Sequence, residues 1–398
     1  MKNPLLDLYS DYLISSFAQT TATGLSRLLD NAVSHDQITR FLSGADYTSR
    51  DLWALVKPAV RAVEADDGVL IFDDTVEEKP HSDENEIIAW HFDHCVNRTV
   101  KGVNILNCLY NAGGVNLPVA FEIVHKDLQY CDVETKKLKR QSSITKNERL
   151  RQMLGVCQQN QLRYCYVLTD NWFSSKENMG FIKLELEKEF VMALKSNRTV
   201  ALSLEDKRQG RFVRVDALPL EEGTVLQVYI KGLSFPVVLA KQVFTNKDGS
   251  IGILYLAASD LLLDYDRITT IYKKRWNVEV FHKSIKSNTG LARSPTHTVR
   301  TQSNHFFASI YAFFKLELLK TKHQLLLLRY PKAAPTDHGE CGFLLRGAGR
   351  DEGFAAERVP DGIEHIRRIL AGRGDVPPDA RKVLRALQRP ESPRDLLF

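Results

Sequence analysis

Residues 68–74 read GVLIFDD, and this short apolar run, which ends in two carboxylates, decides the fold. A run of large apolar residues bounded by polar ones predicts a strand buried inside a sheet. The run YCYVL at residues 164–168 predicts a second buried strand, and Thr169 and Asp170 follow it. Both runs therefore place an acidic side chain where a buried strand reaches the protein surface.

The segments around these two runs complete the pattern of a mixed α/β sheet. Apolar runs on both sides of residues 112–115 are a hairpin signal, and residues 147–160 have helical character. Ser174 or Ser175 is expected to cap a helix, and EFVMALK at 189–195 predicts a further strand. The order strand, hairpin, helix, strand, helix, strand predicts an α/β core with carboxylates at strand ends.

Composition changes along the chain predict five regions. Short apolar runs separated by Gly, Asn and Asp turns predict an all-β insertion, and the last region is rich in Arg, Pro and Gly but poor in Lys. In chain order we expect a helical region at 1–65, the first part of the core at 66–196, the β insertion at 197–260, the last part of the core, mostly helical, at 261–328 and an atypical tail at 329–398.

The overall composition excludes several classes of protein. With 398 residues, of which 43% are hydrophobic, the chain can bury a large core, and general disorder is excluded. The formal net charge of +5 is only a weak indication of an anionic partner. The cysteines form no C-x-x-C pair, which suits a reducing cytosol. The most apolar stretch, residues 306–319, is interrupted by Ser309 and Lys315, so we expect a cytoplasmic protein without membrane association.

Two segments outside the sheet are candidates for DNA contact. Residues 23–42 have helix-turn-helix spacing, with Ser34 as N-cap and Arg40, among other polar residues, on the candidate reading helix. An ordinary helical hairpin is the alternative. The loop before residue 147 carries a basic cluster for which phosphate contact and simple solvation are both open. That cluster consists of Lys136, Lys137, Lys139 and Arg140.

Residues 267–291, RITTIYKKRWNVEVFHKSIKSNTGL, predict one helix with an unusual polar face. On a helical wheel, Arg275, Glu279 and Lys286 all fall within roughly 60° of Tyr272. One interpretation is a solvated helix with Glu–Lys pairing. The other is a metal ligand, Glu279, bordered by groups that bind phosphate. Further positive charge around the helix comes from Lys273, Lys274 and Lys283, whereas Trp276 is expected to pack into the core.

Metal chemistry on DNA needs more than one carboxylate. Mg²⁺ takes oxygen ligands, so two or three acidic side chains that converge from separate elements are sufficient. Asp73 or Asp74 ends the first strand, Asp170 ends the second, and Glu279 lies on the helix. Together, in this order, these residues predict a divalent metal site.

The spacing Tyr272-x2-Arg275-x3-Glu279-x6-Lys286 resembles the Tyr-Arg-Glu-Lys signature of bacterial insertion-sequence transposases. The family is the one conventionally numbered four, within the DDE recombinases, and the resemblance covers residues 1 to about 325. The DDT of residues 73–75 looks like that family's first acidic motif, Asp-x-Thr, and TDNWFSS at 169–175 looks like the second. By that pattern Asp73 and Asp170 are metal ligands together with Glu279, and Asp74 is the alternative to Asp73.

The resemblance implies an RNase H-like core with an all-β insertion, preceded by a helical domain. It also implies two ions, Mg²⁺ or Mn²⁺, in each active site and cut-and-paste transposition of an insertion sequence. The partners would be double-stranded DNA, namely the terminal inverted repeats and the target, and a second copy of the chain on that DNA, within a bacterial nucleoid. The side chains expected to bind DNA phosphates are Tyr272, Arg275, Lys274, Lys283, Lys286 and Arg40.

The sequence leaves two other functions open. A copy altered in its tail could bind the element ends without cutting them and act as a repressor. A relative limited to hydrolysis would be a nuclease that joins no strands. Some members of the family use a tryptophan of the β insertion in base flipping, but this insertion has none. Its aromatic residues that could stack instead are Phe212, Tyr229, Phe235 and Phe244.

Overall fold

The computed structural model describes residues 3–16, 18–93, 97–245, 249–323, 325–329 and 343–347. The chain divides into two compact units, one made of Met1–Thr48 with Lys283–Phe398 and the other of Ser49–His282. Among the described residues, no helix has both the length and the apolarity needed to cross a lipid bilayer.

The unit Ser49–His282 is built on a mixed sheet of eleven strands. The strands of its first half are β1 (Val69–Glu78), β2 (Ala89–Asp93), β3 (Arg98–Ala112), β4 (Val115–Ile123), β7 (Tyr166–Thr169) and β8 (Glu189–Leu194), and a separate pair is formed by β5 (Leu128–Cys131) and β6 (Leu138–Gln141). At the centre of the sheet β1 pairs in parallel with β7, and β7 pairs in parallel with β8. Strand β3 runs antiparallel to β1 and pairs with β2 and β4. The expected α/β core is confirmed.

The central strands are buried because their sequences are apolar on both faces. Val69, Leu70, Ile71 and Phe72 are all fully buried in β1. Such continuous runs suit a strand that has neighbours on both sides and layers above and below it. At the predicted hairpin, residues 113 and 114 both have positive φ, 56° and 79°, which glycine adopts without steric cost.

The predicted β insertion continues the same sheet. Strand β13 pairs antiparallel with β8, and the order continues through β12, β11 and β9 to β10 at the edge. One short helix and one 3-10 turn interrupt the strands. The strands are β9 (Thr199–Ala201), β10 (Val213–Arg214), β11 (Val225–Ile230), β12 (Val237–Thr245) and β13 (Ile251–Ala258), and the turn is Val215–Ala217.

Helices cover this sheet. In α5, Thr145 and Glu148 form a capping box at the N-terminus, which fixes where the helix begins. Ser175, one of the two expected caps, accepts a hydrogen bond from the backbone of Asn178. The helices are α4 (Ser49–Val63), α5 (Lys146–Gln159), α6 (Lys176–Gly180) with a π-helical turn at Phe181–Glu185, α7 (Leu204–Arg208), α8 (Tyr265–Lys273) and α9 (Trp276–Ser287).

The prediction of one helix over 267–291 is wrong, because α8 ends at Lys273 and α9 begins at Trp276. Between them the backbone N–H groups of Lys274 and Arg275 bond to the carbonyls three residues earlier, at 3.1 and 2.9 Å. This tighter turn keeps the chain helical, but it changes the angle about the helix axis between Tyr272 on α8 and the signature residues on α9. A 3-10 turn, Leu291–Arg293, follows α9.

The other unit contains α1 (Pro4–Ser15), α2 (Ala22–Leu28), α3 (His35–Gly44) and α10 (Val299–His323). Ser34 caps α3 in a capping box with Gln37, as predicted for the start of the reading helix. The buried Tyr9 hydroxyl lies 2.9 Å from His305 Nδ1 and ties α1 to α10. Lys315 is also buried between these helices, where its ammonium lies 2.5 Å from the Asp11 carboxylate.

The helical structure expected up to residue 328 ends earlier in the chain. Helix α10 ends at His323, and β14 (Leu325–Arg329) pairs antiparallel with β15 (Phe343–Gly347). The run LLLLR has no period that separates a strand from a helix, so pairing with β15 decides its structure. The rest of the atypical tail expected at 329–398 lies outside the described residues.

Candidate active site

Parallel pairing of β1 with β7 brings two of the predicted acids together. Ile71 lies opposite Leu168 in this register, and Asp73 and Asp170 each lie two residues further along their chains. Neighbouring strands are about 4.8 Å apart, so the two residues lie side by side. The prediction that Asp73 or Asp74 ends its strand is wrong, because β1 continues to Glu78 through its pairing with β3. Asp170 does follow the end of β7, as predicted.

The alternation of side chains along β1 separates Asp73 from Asp74. Successive residues of a strand point to opposite faces. The Asp74 carboxylate lies 2.9 Å from the Lys146 ammonium at the start of α5 and accepts a hydrogen bond from Asn104. The Asp73 carboxylate lies on the other face, 2.9 Å from the Arg275 guanidinium. The alternative acid is therefore held in a separate ion pair.

Arg275 links the first and third predicted acids. Its Nη1 lies 2.9 Å from Asp73 Oδ2, and its Nη2 lies 3.3 Å from Glu279 Oε1. The side chains of Arg275 and Asp73 are 12% and 13% exposed, whereas that of Glu279 is 41% exposed. One guanidinium thus partly balances a group of carboxylates that opens to solvent at Glu279.

His282 joins this group, and sequence reasoning missed it. One ligand atom each from Asp73, Glu279 and His282 lie within 4.8 Å of one another, and Asp170 lies outside that set. The His282 imidazole is buried and lies 3.3 Å from the amide nitrogen of Asn107, the residue opposite Asp73 on β3. The signal was its position three residues after Glu279, which puts both side chains on one face of α9.

The environment favours the protonated form of two of the acids. Burial, together with the nearby Asp170 carboxylate, raises the pKa of Asp73 to about 8, despite the opposing effect of Arg275. Burial also raises the pKa of Asp170, although Asp170 accepts hydrogen bonds from the backbone N–H groups of Trp172 and Phe173. The raised pKa of Asp73 therefore reflects mainly its burial and secondly the negative charge of Asp170, and Arg275 offsets only part of both effects.

Tyr272 lies beside the same guanidinium. Its ring is buried, and the Arg275 carbon Cζ lies 5.9 Å from the ring centre. Burial raises the pKa of the Tyr272 hydroxyl well above its usual range. The hydroxyl is therefore protonated at every physiological pH and is able to donate a hydrogen bond.

The remaining predicted phosphate ligands are at least partly exposed to solvent. Lys274 follows α8, and Lys283 and Lys286 lie on α9, the helix that carries Glu279. Arg40 is exposed on α3 of the other unit. Trp276, expected in the core, is 62% exposed, so that expectation is wrong. Trp276 is the first residue of α9 and lies on its exposed side, next to Arg275.

The donor set suits a divalent cation. Carboxylate oxygens are the ligands that Mg²⁺ and Mn²⁺ prefer, and imidazole is a common ligand of Mn²⁺ and later metals. A cation at this position would favour the ionised form of Asp73 and so oppose the burial and the neighbouring negative charge that raise its pKa. The residues that the structure groups here could therefore hold such an ion, with Arg275 and Tyr272 beside it.

Comparison with protein families identifies the chain. The sequence profile described as DDE superfamily endonuclease matches residues 3–216, which include Asp73 and Asp170. The profile described as transposase DDE domain matches residues 127–314, which include Asp170 and Glu279. A search of curated proteins finds no match. Enzymes of the DDE superfamily use divalent metal ions. Because the first match spans more than half of its length, the chain belongs to the DDE superfamily of endonucleases, with a transposase-type domain.

Proposed function

We propose that this protein is a DNA transposase that cuts and joins strands at the ends of an insertion sequence by cut-and-paste transposition. The observation that carries the proposal is the grouping of Asp73 and Glu279 around Arg275, with the Asp170 carboxylate on the neighbouring strand close enough to act on the charge of Asp73. The Tyr-Arg-Glu-Lys spacing supports membership of the insertion-sequence family numbered four.

Asp73, Asp170 and Glu279 are the proposed metal ligands, for two ions of Mg²⁺ or Mn²⁺, and His282 is a further candidate donor. Bound divalent ions would activate a water or a 3′-hydroxyl and neutralise charge on the scissile phosphate. Asp74 is not a proposed ligand, because its carboxylate lies on the opposite face of β1 from Asp73, where it binds Lys146 and Asn104.

The remaining side chains of the site orient DNA. Arg275 presents two N–H groups to oxygen acceptors, a geometry that suits phosphate as well as carboxylate. The Tyr272 hydroxyl is a protonated donor beside it. Lys274, Lys283 and Lys286 add positive charge along the same segment, and Arg40 is the proposed contact of the reading helix.

The proposed substrate is double-stranded DNA that carries terminal inverted repeats, together with target DNA. Two element ends must be held together before they are joined, so we propose a homodimer on DNA. The positive formal charge favours association with nucleic acid.

A strand-transfer assay with purified protein tests the proposal. The DNA carries the inverted repeats that flank the coding region, and Mg²⁺ or Mn²⁺ is supplied. We expect joined products from the wild-type protein and none from Asp73→Asn or Glu279→Gln. The matched control is Asp74→Asn, an identical change at the neighbouring position, which should retain activity. Cleaved but unjoined strands would favour a nuclease, and bound but uncut DNA would favour a repressor.

A further inference from the structure

Strands β5 and β6 form a two-stranded ribbon that stands apart from the main sheet. In its register Leu128 lies opposite Gln141 and Tyr130 opposite Lys139. Every residue of both strands is exposed except Arg140, which is half-buried. An isolated hairpin is only marginally stable in water and buries no core of its own. Exposure on both faces therefore points to a surface that another molecule covers.

Polar contacts at both ends hold the ribbon in shape. At its base, Asp127 accepts a hydrogen bond from the backbone of Ser143 at 2.9 Å. At its tip, the Asp132 carboxylate accepts bonds from the backbone of Thr135 at 2.7 Å and from the Lys139 ammonium at 2.6 Å. The ribbon thus has a defined conformation before any partner binds.

The ribbon carries both positive charge and exposed apolar groups. Between residues 126 and 146 there are six Lys or Arg and three Asp or Glu residues. In the described part of the chain, neither Lys136 nor Lys137 at the tip takes part in an ion pair, and both are exposed. The large apolar side chains exposed beside them are Leu128, Tyr130, Val133 and Leu138. Charge of this sign favours a polyanion over a second copy of the chain, whose own ribbon would repel it.

The dimensions of the ribbon fit one site on a polyanion. Four residues per strand give a length of roughly 13 Å, and two strands with their side chains are roughly 10 Å wide. The major groove of B-form DNA is about 12 Å wide and admits a two-stranded ribbon. The base of the ribbon is close in sequence to Lys146, whose ammonium binds Asp74 beside Asp73. This connection places the base near the candidate active site.

We propose that the β5–β6 ribbon enters the major groove of the DNA duplex beside the cleavage point, with Lys136 and Lys137 on the flanking phosphates. The inference rests on the proposed function only in taking DNA as the substrate. Tyr130 and Leu138 lie on opposite faces of the ribbon and contact the groove through their apolar surfaces.

Binding of a fluorescent mixed-sequence duplex, measured by anisotropy against salt concentration, tests this inference without any cleavage step. Each phosphate contact contributes about 0.9 to the slope of log affinity against log salt. Lys136→Ala/Lys137→Ala should therefore lower the slope by about 1.8 and weaken binding roughly 60-fold at 0.1 M salt if the two curves meet near 1 M. Lys57→Ala, which removes an exposed lysine of α4, is the matched control, and Lys136→Arg/Lys137→Arg should bind like the wild type.

A duplex whose cytosines carry a bulky glucosyl group in the major groove distinguishes binding in the major groove from binding in the minor groove. We expect it to bind the wild type at least about tenfold more weakly, and to affect the alanine variant much less. The inference is overturned if the alanine variant binds like Lys57→Ala, or if it loses self-association in light scattering while its DNA affinity is unchanged. Normal ribbon-dependent binding without strand transfer would instead end the transposase proposal and leave the ribbon assignment intact.

Discussion

Replacing Asp73 with Asn should make the cation-free protein more stable and remove its response to divalent ions. The Asp73 carboxyl is buried beside Asp170 and Glu279, and its pKa is about 8 in the folded protein against an ordinary value of 3.8. The folded state therefore keeps a proton that the unfolded chain has lost. With this sign, the free energy of unfolding falls as the pH rises from about 4 to about 8.

The size of the effect follows from the same pKa difference. Each pKa unit corresponds to about 1.36 kcal/mol, so at pH 7.5 the upper limit of the penalty is about 5 kcal/mol. Relaxation around the site and the lost contact with Arg275 reduce this figure, and we expect a gain of about 2 kcal/mol for Asp73→Asn. For a unit of this size, that gain raises Tm by roughly 4–8 °C.

Thermal unfolding with and without Mn²⁺ measures both effects in one experiment. A cation at about 100 times its Kd adds roughly 2.7 kcal/mol to the wild-type protein, and it should add little to Asp73→Asn. Asp74→Asn is the control, since its loss breaks the pair with Lys146 but leaves the response to Mn²⁺ unchanged. An Asp73→Asn protein that is less stable than wild type and still responds to Mn²⁺ would refute the reasoning.

Three substitutions and one change of pH should each have a measurable effect. Arg275→Ala leaves Asp73 and Glu279 without their shared cation, so urea unfolding should show a loss of about 3 kcal/mol that Mn²⁺ partly restores; unchanged stability would argue against the bridge. In calorimetry, His282→Ala should weaken Mn²⁺ binding about tenfold and Mg²⁺ binding less, because imidazole is a better ligand of Mn²⁺ than of Mg²⁺. Equal losses for the two ions would remove His282 from the ligand set. Apparent Mn²⁺ affinity should rise about tenfold per pH unit from pH 6 to 8, as the Asp73 carboxyl loses its proton, and a flat profile would contradict that pKa. A Cβ at Gly102 would lie 2.3 Å from the Glu77 carbonyl oxygen, so Gly102→Ala should cost about 2 kcal/mol, whereas Gly155→Ala meets nothing within 4 Å and should not destabilise the protein.

The sheet core could be predicted because its strands have a one-dimensional signal. Residues 68–72 and 164–168 are apolar without interruption, which predicts two buried strands. The capping box at Thr145 begins α5, the helix that precedes the second of them. The runs correctly place Asp170 after its strand, but β1 continues past Asp73 to Glu78 because its polar second half pairs with β3. The face on which each acid lies does not follow from these runs, because Asp73 and Asp74 differ only in their partners, and those partners are distant in sequence.

Other features depend on contacts that the sequence does not encode locally. The segment KKRW contains neither Gly nor Pro, so nothing in it predicts the break between α8 and α9, which brings Arg275 to Asp73. The run LLLLR after α10 becomes a strand only through its pairing with residues 343–347. The sequence does not single out His282, because a single histidine on an amphipathic helix is common. Its imidazole comes close to Asp73 only when α9 packs on the sheet.

The most direct test of the central claim is anomalous diffraction from crystals of the wild-type protein soaked in Mn²⁺. We expect a peak within coordination distance, about 2.0–2.3 Å, of carboxylate oxygens from both Asp73 and Glu279, with Asp170 in the same site. A Mn²⁺ peak at another position, with the Asp73 carboxylate still bound only to Arg275 at saturating Mn²⁺, would contradict the proposed metal site.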